Sequence, residues 1–202
     1  MVRAQAALGP AHSHTMKIAL LGYPQAGKKT LFTLLTGRAI PAGRAETDPL
    51  EGIAPIRDPR VDALAGICKP EKTTYAENTV VLCPDLSPGS DKREWLDAAR
   101  RCDLLCMVIR DSSTAGTYHP AGSVNAARDR ANLAAECILT DLLLIETRLQ
   151  RMEKEKRAGQ TPAQALEQKA LLKCKAALEA EKSVREAGLE PHELAAVRSL
   201  DF

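Results

Sequence analysis

The residues with the most specific chemistry lie near the start of the chain, in the stretch GYPQAGKKT, residues 22 to 30. Gly22, Gly27 and Lys28 fit the pattern G-x-x-x-x-G-K, in which backbone N–H groups surround phosphate oxygens and the lysine brings a positive charge to them. The sequence therefore predicts a phosphate-binding loop. Its candidate ligand-binding residues are Gly22, Tyr23, Pro24, Gln25, Ala26, Gly27, Lys28, Lys29 and Thr30.

One position of this loop departs from the pattern. Lys29 stands where a Ser or Thr hydroxyl would bind Mg²⁺, which puts magnesium binding in question. Thr30 is not a simple replacement, because one step along a helix rotates a side chain by about 100°. Two interpretations are open: Lys29 points to solvent and magnesium is held weakly, or its ammonium group partly substitutes for the metal and binds phosphate without it.

Asp85 is the candidate metal ligand outside this loop. It ends the apolar run NTVVLCPD, at the end of a predicted buried strand, where nucleotide switch proteins carry the motif D-x-x-G. In DLSPG the fourth residue is Pro88, which has no N–H to donate to a γ-phosphate, and Gly89 could donate only if the loop shifted by one residue. The alternative interpretation is that Asp85 caps a turn.

No catalytic residue is predicted. Tyr118 and His119 follow a predicted strand, at the end where ligands sit in open parallel sheets, but a single histidine there is typical of a satisfied loop residue. No Ser/His/Asp or Cys/His set accompanies it. Thr47 offers a hydroxyl to a metal, although a threonine in a polar loop is ordinary, and we do not expect His12 and His14 to form a built metal site.

The elements that must position the loop alternate between strand and helix. KIALLG before the loop predicts a buried strand, and KKTLFTLLTGR after it predicts a helix that ends at Gly37. IAPI, NTVVLCPD and CDLLCMVIR predict further strands, and DPRVDALAGI and DKREWLDAARR predict the helices between them. This alternation predicts an α/β fold in which helices cover both faces of a mainly parallel sheet.

The last third of the chain is predicted to be helical. Ile138, Leu142, Ile145, Leu149 and Met152 follow the 4, 3, 4, 3 spacing of a coiled-coil seam. A second helix begins after a Thr-Pro cap and is predicted to run to Gly188, so the two helices form an antiparallel hairpin.

The predicted organisation therefore has four parts. They are a disordered N-terminal extension over residues 1–15, a P-loop nucleotide-binding domain over 16–125, a helical coiled-coil hairpin over 126–188, and a short helix over 189–202 that leads back to the nucleotide domain.

Charge and hydropathy exclude several kinds of partner. The 28 basic and 26 acidic residues give a net charge of +2, so no global positive field favours direct DNA binding. No apolar run approaches the roughly 20 residues of a membrane-spanning helix. The cysteines lack metal-ligand spacing, and we expect reduced, buried thiols in a cytoplasmic protein. They are Cys68, Cys83, Cys102, Cys106, Cys137 and Cys174.

Taken together, the segments resemble a known family. KIALLGYPQAGKKTLFTLLTGR, GIAPIRDPRVDALAGICKPEKTTYAE, CDLLCMVIR and RDRANLAAECILTDLLLIETRLQRMEKEKRAG are similar to the Obg-like ATPase (YchF-type) family of P-loop GTPase-like proteins. The resemblance runs from Met16 to Phe202. It implies a Ras-like nucleotide domain interrupted by a coiled-coil hairpin, binding of ATP or GTP with Mg²⁺, slow hydrolysis, and association with ribosomes. The family's base-reading motif and its TGS domain would lie beyond Phe202.

Carried over by position, residues 22–30 correspond to the family's phosphate loop and Asp85 to the acid of its D-x-A-G switch. Three positions differ from the family. Lys29 replaces Ser, Pro88 replaces the switch glycine, and Glu46 replaces the switch threonine. All three concern magnesium or the γ-phosphate, so we expect ATP or GTP binding with hydrolysis that is slow at most.

Two further hypotheses differ from this one. The first is a pseudo-GTPase scaffold that does not depend on nucleotide and presents the helical hairpin to a ribosome or another protein. The second is metal-free binding of phosphate or another anion on the loop, which is compatible with Lys29.

Overall fold

The computed structural model describes residues 15–86, 94–112, 118–155, 159 and 161–200. The chain forms two compact units, one over Met1–Val108 and the other over Ile109–Phe202. Among the described residues, no helix combines the length and the apolar character needed to cross a membrane. The domain limits predicted from the sequence stay predictions.

The first unit is built on a four-stranded sheet in the order β2-β3-β1-β4. Strands β1 (Lys17–Leu21), β3 (Ala76–Leu82) and β4 (Leu104–Met107) are parallel, whereas β2 (Leu50–Ile56) runs antiparallel to β3 at the edge. The sheet is thus mostly parallel, as predicted. The strand β2 is longer than the predicted IAPI segment, because all seven of its residues pair with β3.

Three helices accompany this sheet: α1 (Lys28–Thr36), α2 (Pro59–Cys68) and α3 (Glu94–Ala99). Helix α1 ends as predicted at Gly37, which has φ 65° and donates its N–H to Thr33 O. Helix α2 begins at Pro59 because the Asp58 carboxylate accepts the Arg60 N–H at 2.9 Å. Trp95 and Leu96 of α3 are buried, as predicted.

One core cluster of the first unit lies between α1 and the sheet. Its buried members are Leu20, Phe32, Leu50, Ala54, Val80 and Leu82. Gly52 of β2 makes the close approach of α1 possible, because a Cβ there would lie 2.8 Å from both Phe32 Cζ and Thr36 Cγ2. Helix α1, which follows the candidate phosphate loop, therefore packs directly against the sheet.

The second unit is helical, with α4 (Ala126–Glu155), α5 (Pro162–Glu179) and α6 (Pro191–Val197), and short 3₁₀ turns at Val184–Glu186 and Arg198–Leu200. Thr161 and Gln164 cap the start of α5 reciprocally, as a capping box does.

Helix α5 ends at Glu179, well before the predicted limit at Gly188. The reason is a left-handed residue, Glu181 (φ 57°), whose N–H donates to Leu178 O while the Lys182 N–H donates to Ala177 O. These two bonds satisfy carbonyls at the end of the helix and turn the chain away.

Helices α4 and α5 pack through one apolar cluster. Its buried members include Ile145, Met152, Ala170, Leu171, Cys174 and Leu178, and Ile138, Leu142 and Leu149 pack against them. All five residues of the predicted seam therefore belong to this cluster. Ion pairs from Arg148 to Glu167 (2.7 Å) and from Lys175 to Glu146 (2.9 Å) join the two helices. An inserted coiled-coil hairpin stays a prediction.

Helix α6 packs against α5 through a buried carboxylate. Glu193 is 0% exposed, and its carboxylate lies 2.6 Å from Lys173 Nζ and 3.4 Å from Lys169 Nζ. The hydrogen bonds from Lys173 and from the Glu190 N–H lower the pKa of Glu193 to about 2. This carboxylate therefore stays ionised far into the acid range.

The thiols agree with the expectation of burial only in part, since three of the six, Cys137 among them, are partly buried. Cys83 and Cys174 are buried, but Cys68 is exposed at the end of α2, where no residue of that helix is buried. Burial raises the pKa of Cys83 to about 12 and that of Cys137 to about 11. The thiols of Cys83 and Cys137 are thus poor nucleophiles.

Candidate functional site

The candidate loop leaves β1 through Gly22, a position that only glycine fits. Its backbone has φ 155°, and a Cβ there would overlap the carbonyl oxygen of Val108 at the end of β4. The Val108 N–H donates to Leu21 O at 2.7 Å, so β1 and β4 are paired up to the start of the loop.

The loop then curls into the start of α1. Gln25 and Gly27 both have positive φ, at 58° and 100°, and Gly27 is the N-cap residue of the helix. The Leu31 N–H already donates to Gly27 O at 2.9 Å, whereas the N–H groups before it have no carbonyl partner within the helix. This arrangement presents donors and the positive end of the helix dipole to one region of space.

A cavity of about 370 Å³ opens at that region. Residues 23–30 of the loop line it, together with Glu46 from the segment before β2 and Asp85 from the segment after β3. The structure therefore brings together the predicted loop and the predicted acid. Gly22 does not line the cavity, but its carbonyl oxygen accepts a hydrogen bond from Lys28 Nζ.

Lys28 is the buried charge of the site. Its side chain is 3% exposed, and Nζ donates to Gly22 O and, at 2.5 Å, to Asp85 Oδ1. Burial lowers the pKa of Lys28 below its usual 10.5, and the hydrogen bond to Asp85 opposes that shift. The Leu86 N–H also donates to Gly22 O, at 3.2 Å, which fixes the acceptor that Lys28 uses.

Lys29 has a different environment. Its Nζ lies 2.7 Å from Glu46 Oε1, and the two side chains are 55% and 73% exposed. The hydrogen bond from Lys29, followed by the charge of Lys29, lowers the pKa of Glu46, and Arg44 adds to the same effect. Neither interpretation from the sequence included this pair, because the two residues are 17 positions apart.

These residues do not fit Mg²⁺ in the manner of the P-loop pattern. An ammonium group stands where the hydroxyl ligand would be, and Asp85 Oδ1 is engaged by Lys28. Within the described part of the chain, no group of three or more His, Cys, Asp or Glu side chains could hold a metal. Asp85 as a magnesium ligand stays a prediction that this arrangement does not support.

Other candidates from the sequence lie elsewhere. Thr47 is exposed and does not line the cavity, whereas its neighbour Glu46 does. Pro88 and Gly89 of the switch motif lie outside the described residues, as do His12 and His14.

His119 belongs to the second unit and has a structural environment. Its Nε2 lies 2.9 Å from Asp129 Oδ2, and its Nδ1 accepts the Ala121 N–H at 3.2 Å. The Arg128 guanidinium donates to the other carboxylate oxygen of Asp129 through two nitrogens, at 3.0 and 2.9 Å. The imidazole of His119 thus lies between a buried carboxylate and a backbone N–H, which is the environment of the loop residue that the sequence predicted, while Tyr118 is exposed.

The geometry defines a class of protein. A buried strand, a glycine-containing loop with a buried lysine, a helix that begins at that loop, and an acid at the end of a neighbouring parallel strand are the architecture of P-loop nucleotide-binding proteins.

Comparisons with known proteins identify the family within that class. The chain is 32% identical over 194 residues to the ribosome-binding ATPase YchF of Haemophilus influenzae. The aligned region covers 92% of this chain and 53% of the relative. The chain is 33% identical, with the same coverage, to the protein of that name from Escherichia coli O157:H7. It is 32% identical over 169 residues to an Obg-like ATPase homologue of Schizosaccharomyces pombe, covering 79% of this chain and 40% of the relative.

A solved structure agrees with these relatives. The structure of the Schizosaccharomyces pombe YchF GTPase matches with a TM-score of 0.72 at 25% identity, over 93% of this chain and 53% of that one. No protein-family model matches the chain. The chain therefore belongs to the Obg-like ATPase (YchF-type) family, which confirms the resemblance found in the sequence. It spans about half the length of the YchF relatives that it matches.

Proposed function

We propose that this chain binds ATP or GTP through residues 22–30, with weak or absent hydrolysis. The observation that carries the proposal is the cavity of about 370 Å³ lined by the loop, with the buried Lys28 beside it. The names of the relatives, an ATPase and a GTPase, support a nucleotide rather than another phosphate compound.

In this proposal the loop does two things. The N–H groups at the start of α1 donate to phosphate oxygens, and Lys28 turns part of its hydrogen bonding from Gly22 O and Asp85 to the terminal phosphates. Before the ligand binds, the hydrogen bond to Asp85 keeps the Lys28 ammonium group in place.

The residues that line the cavity support slow or absent hydrolysis. Phosphoryl transfer depends on positioning and on neutralising the charge that develops on the transferred group. The hydroxyl that holds magnesium in the P-loop pattern is replaced by Lys29, and Asp85 Oδ1 accepts a hydrogen bond from Lys28. Loss of the magnesium-binding hydroxyl should therefore lower the rate of hydrolysis more than the affinity for the nucleotide.

The wider role is proposed from the relatives. Two of them are named ribosome-binding ATPases, and we propose that this chain acts in the cytoplasm and associates with the ribosome or another protein, with α4 and α5 as the contact surface. These names support nucleotide-dependent function over a scaffold that does not depend on nucleotide.

The test is calorimetric titration of the chain with ATP and with GTP, on the natural sequence and on Lys28→Ala. Charge-assisted hydrogen bonds contribute about 1.5–3 kcal/mol, so we expect affinity to fall by about 10- to 150-fold in Lys28→Ala. Lys17→Ala is the matched control, because Lys17 forms an exposed ion pair with Glu51. Unchanged affinity in Lys28→Ala would contradict the proposal, and a phosphate-release assay would measure any turnover.

A further inference from the structure

We propose that the Lys29–Glu46 ion pair takes the place of magnesium in this site, so that the ligand's phosphates bind without a divalent cation. The inference rests on the proposed nucleotide binding and concerns how that same site neutralises its ligand. Four observations support it.

The first observation is where the two residues stand. In the P-loop pattern the residue after the lysine supplies a hydroxyl to magnesium, and the metal joins the loop to the phosphates and to a neighbouring switch segment. In this chain a Lys29 ammonium occupies that position, and Glu46 from the segment before β2 lies 2.7 Å from it. A side-chain cation therefore makes the connection between loop and segment.

The second observation is that the pair leaves donors available. An ammonium group has three N–H donors and no acceptor. Glu46 Oε1 takes one of them at 2.7 Å. The remaining two can reach phosphate oxygens in the cavity that both residues line, so Lys29 can hold Glu46 and a phosphate at once, as a bridging metal would.

The third observation is the balance of charge. Lys28 and Lys29 line the cavity with Asp85 and Glu46, and Arg44 is close enough to lower the pKa of Glu46. Three cationic and two anionic side chains give this group a net charge of +1. A net positive charge favours the entry of a phosphate and disfavours the entry of a divalent cation.

The fourth observation is the contrast between the two ion pairs. Lys28 is buried against Asp85, while Lys29 and Glu46 are more than half exposed. An exposed pair contributes little stability of its own, so its members can reorient towards a ligand at small cost. The buried pair fixes the loop, and the exposed pair is the adaptable one.

The experiment is calorimetric titration with ATP and with GTP, each in Mg²⁺ and in EDTA. For the natural sequence we expect dissociation constants that agree within about 2-fold between the two solutions. The double variant Lys29→Ser, Glu46→Thr restores the two hydroxyls of the family pattern. We expect its binding to become at least about 10-fold weaker in EDTA than in Mg²⁺. Lys17→Ser, Glu51→Thr removes the same charges from a pair outside the cavity and should behave like the natural sequence.

The outcomes separate the two proposals. Binding of the natural sequence that needs Mg²⁺ would overturn the inference and leave nucleotide binding intact, and so would a double variant that stays indifferent to Mg²⁺. No binding of either nucleotide in either solution would overturn nucleotide binding itself, and the inference with it.

If the double variant does not fold, as judged by Trp95 fluorescence, Lys29→Gln replaces it. Its affinity should fall in EDTA without recovery in Mg²⁺, and unchanged affinity would refute the role of Lys29.

Discussion

Two glycine-to-alanine substitutions should change the stability of the first unit in opposite directions. Gly52 lies in β2 beneath α1, and Gly66 lies on the exposed surface of α2. The same added methyl group meets packed atoms at the first position and open space at the second. The comparison therefore isolates the effect of packing between α1 and the sheet.

The magnitudes follow from the distances. A Cβ at position 52 would lie 2.8 Å from Phe32 Cζ and 2.8 Å from Thr36 Cγ2, while ordinary carbon contacts are about 3.5–4.0 Å. Phe32 is 0% exposed and Thr36 Oγ1 donates to Phe32 O at 2.8 Å, so neither side chain moves freely. We expect Gly52→Ala to lower the free energy of unfolding by about 1–3 kcal/mol. Gly66→Ala should raise it by about 0.5–1 kcal/mol, because alanine is the better helix former.

The assay is urea unfolding followed by the fluorescence of Trp95. The chain has one tryptophan, and it is 4% exposed in α3 of the first unit, the unit that contains both glycines. With a slope of about 2 kcal/mol per molar urea, the midpoint should fall by about 0.5–1.5 M in Gly52→Ala and rise by about 0.3–0.5 M in Gly66→Ala.

A result in which both variants shift in the same direction would refute this reasoning. A Gly52→Ala midpoint within error of the natural chain would show that α1 can move away from β2 at no cost. Because α1 begins at the phosphate loop, Gly52→Ala should also weaken nucleotide binding, and Gly66→Ala should not.

Three further outcomes are expected. Glu46→Gln keeps an acceptor for Lys29 but removes one negative charge from the cavity, so calorimetry in EDTA should show ATP or GTP bound up to about 5-fold more tightly, and weaker binding would contradict this. Because the folded pKa of Glu193 is about 2 and its ordinary value is 4.5, the stability it contributes is complete above pH 4.5 and disappears as the pH falls towards 2. Far-UV circular dichroism during acid titration should therefore show a steeper loss of helix for the natural chain than for Glu193→Gln, and equal slopes would count against it. Thr161→Ala should lose about 1 kcal/mol from α5 in urea unfolding, while Thr147→Ala on exposed α4 surface stays within about 0.5 kcal/mol.

Features that depend on neighbouring residues could be predicted from the sequence. The phosphate loop, the cap at Asp58 and the end of α1 at Gly37 are set by residue types within a few positions of one another. The seam of α4 was likewise visible, because one face of a helix repeats along the chain. These parts needed no knowledge of the tertiary structure.

Features that depend on distant or atypical residues could not be predicted in the same way. The antiparallel direction of β2 has no tight-turn signal, since α2 lies between β2 and β3. The end of α5 is set by Glu181 in a left-handed conformation that usually marks glycine. The Lys29–Glu46 pair joins two segments whose proximity only the folded sheet determines.

Gly22 links the candidate phosphate loop to β4, the edge strand that pairs with β1. A Cβ on Gly22 would overlap the Val108 carbonyl oxygen just after β4, and the Gly22 carbonyl accepts hydrogen bonds from Lys28 Nζ and the Leu86 N–H. We therefore expect a displacement of that strand end to shift the Lys28 ammonium group as well. Hydrogen exchange of the Val108 amide, which donates to Leu21 O, should slow when ligand binds, and an unchanged rate would show that the two are uncoupled. Slower exchange would mean that ligand binding at the loop and the position of β4 at the sheet edge influence each other.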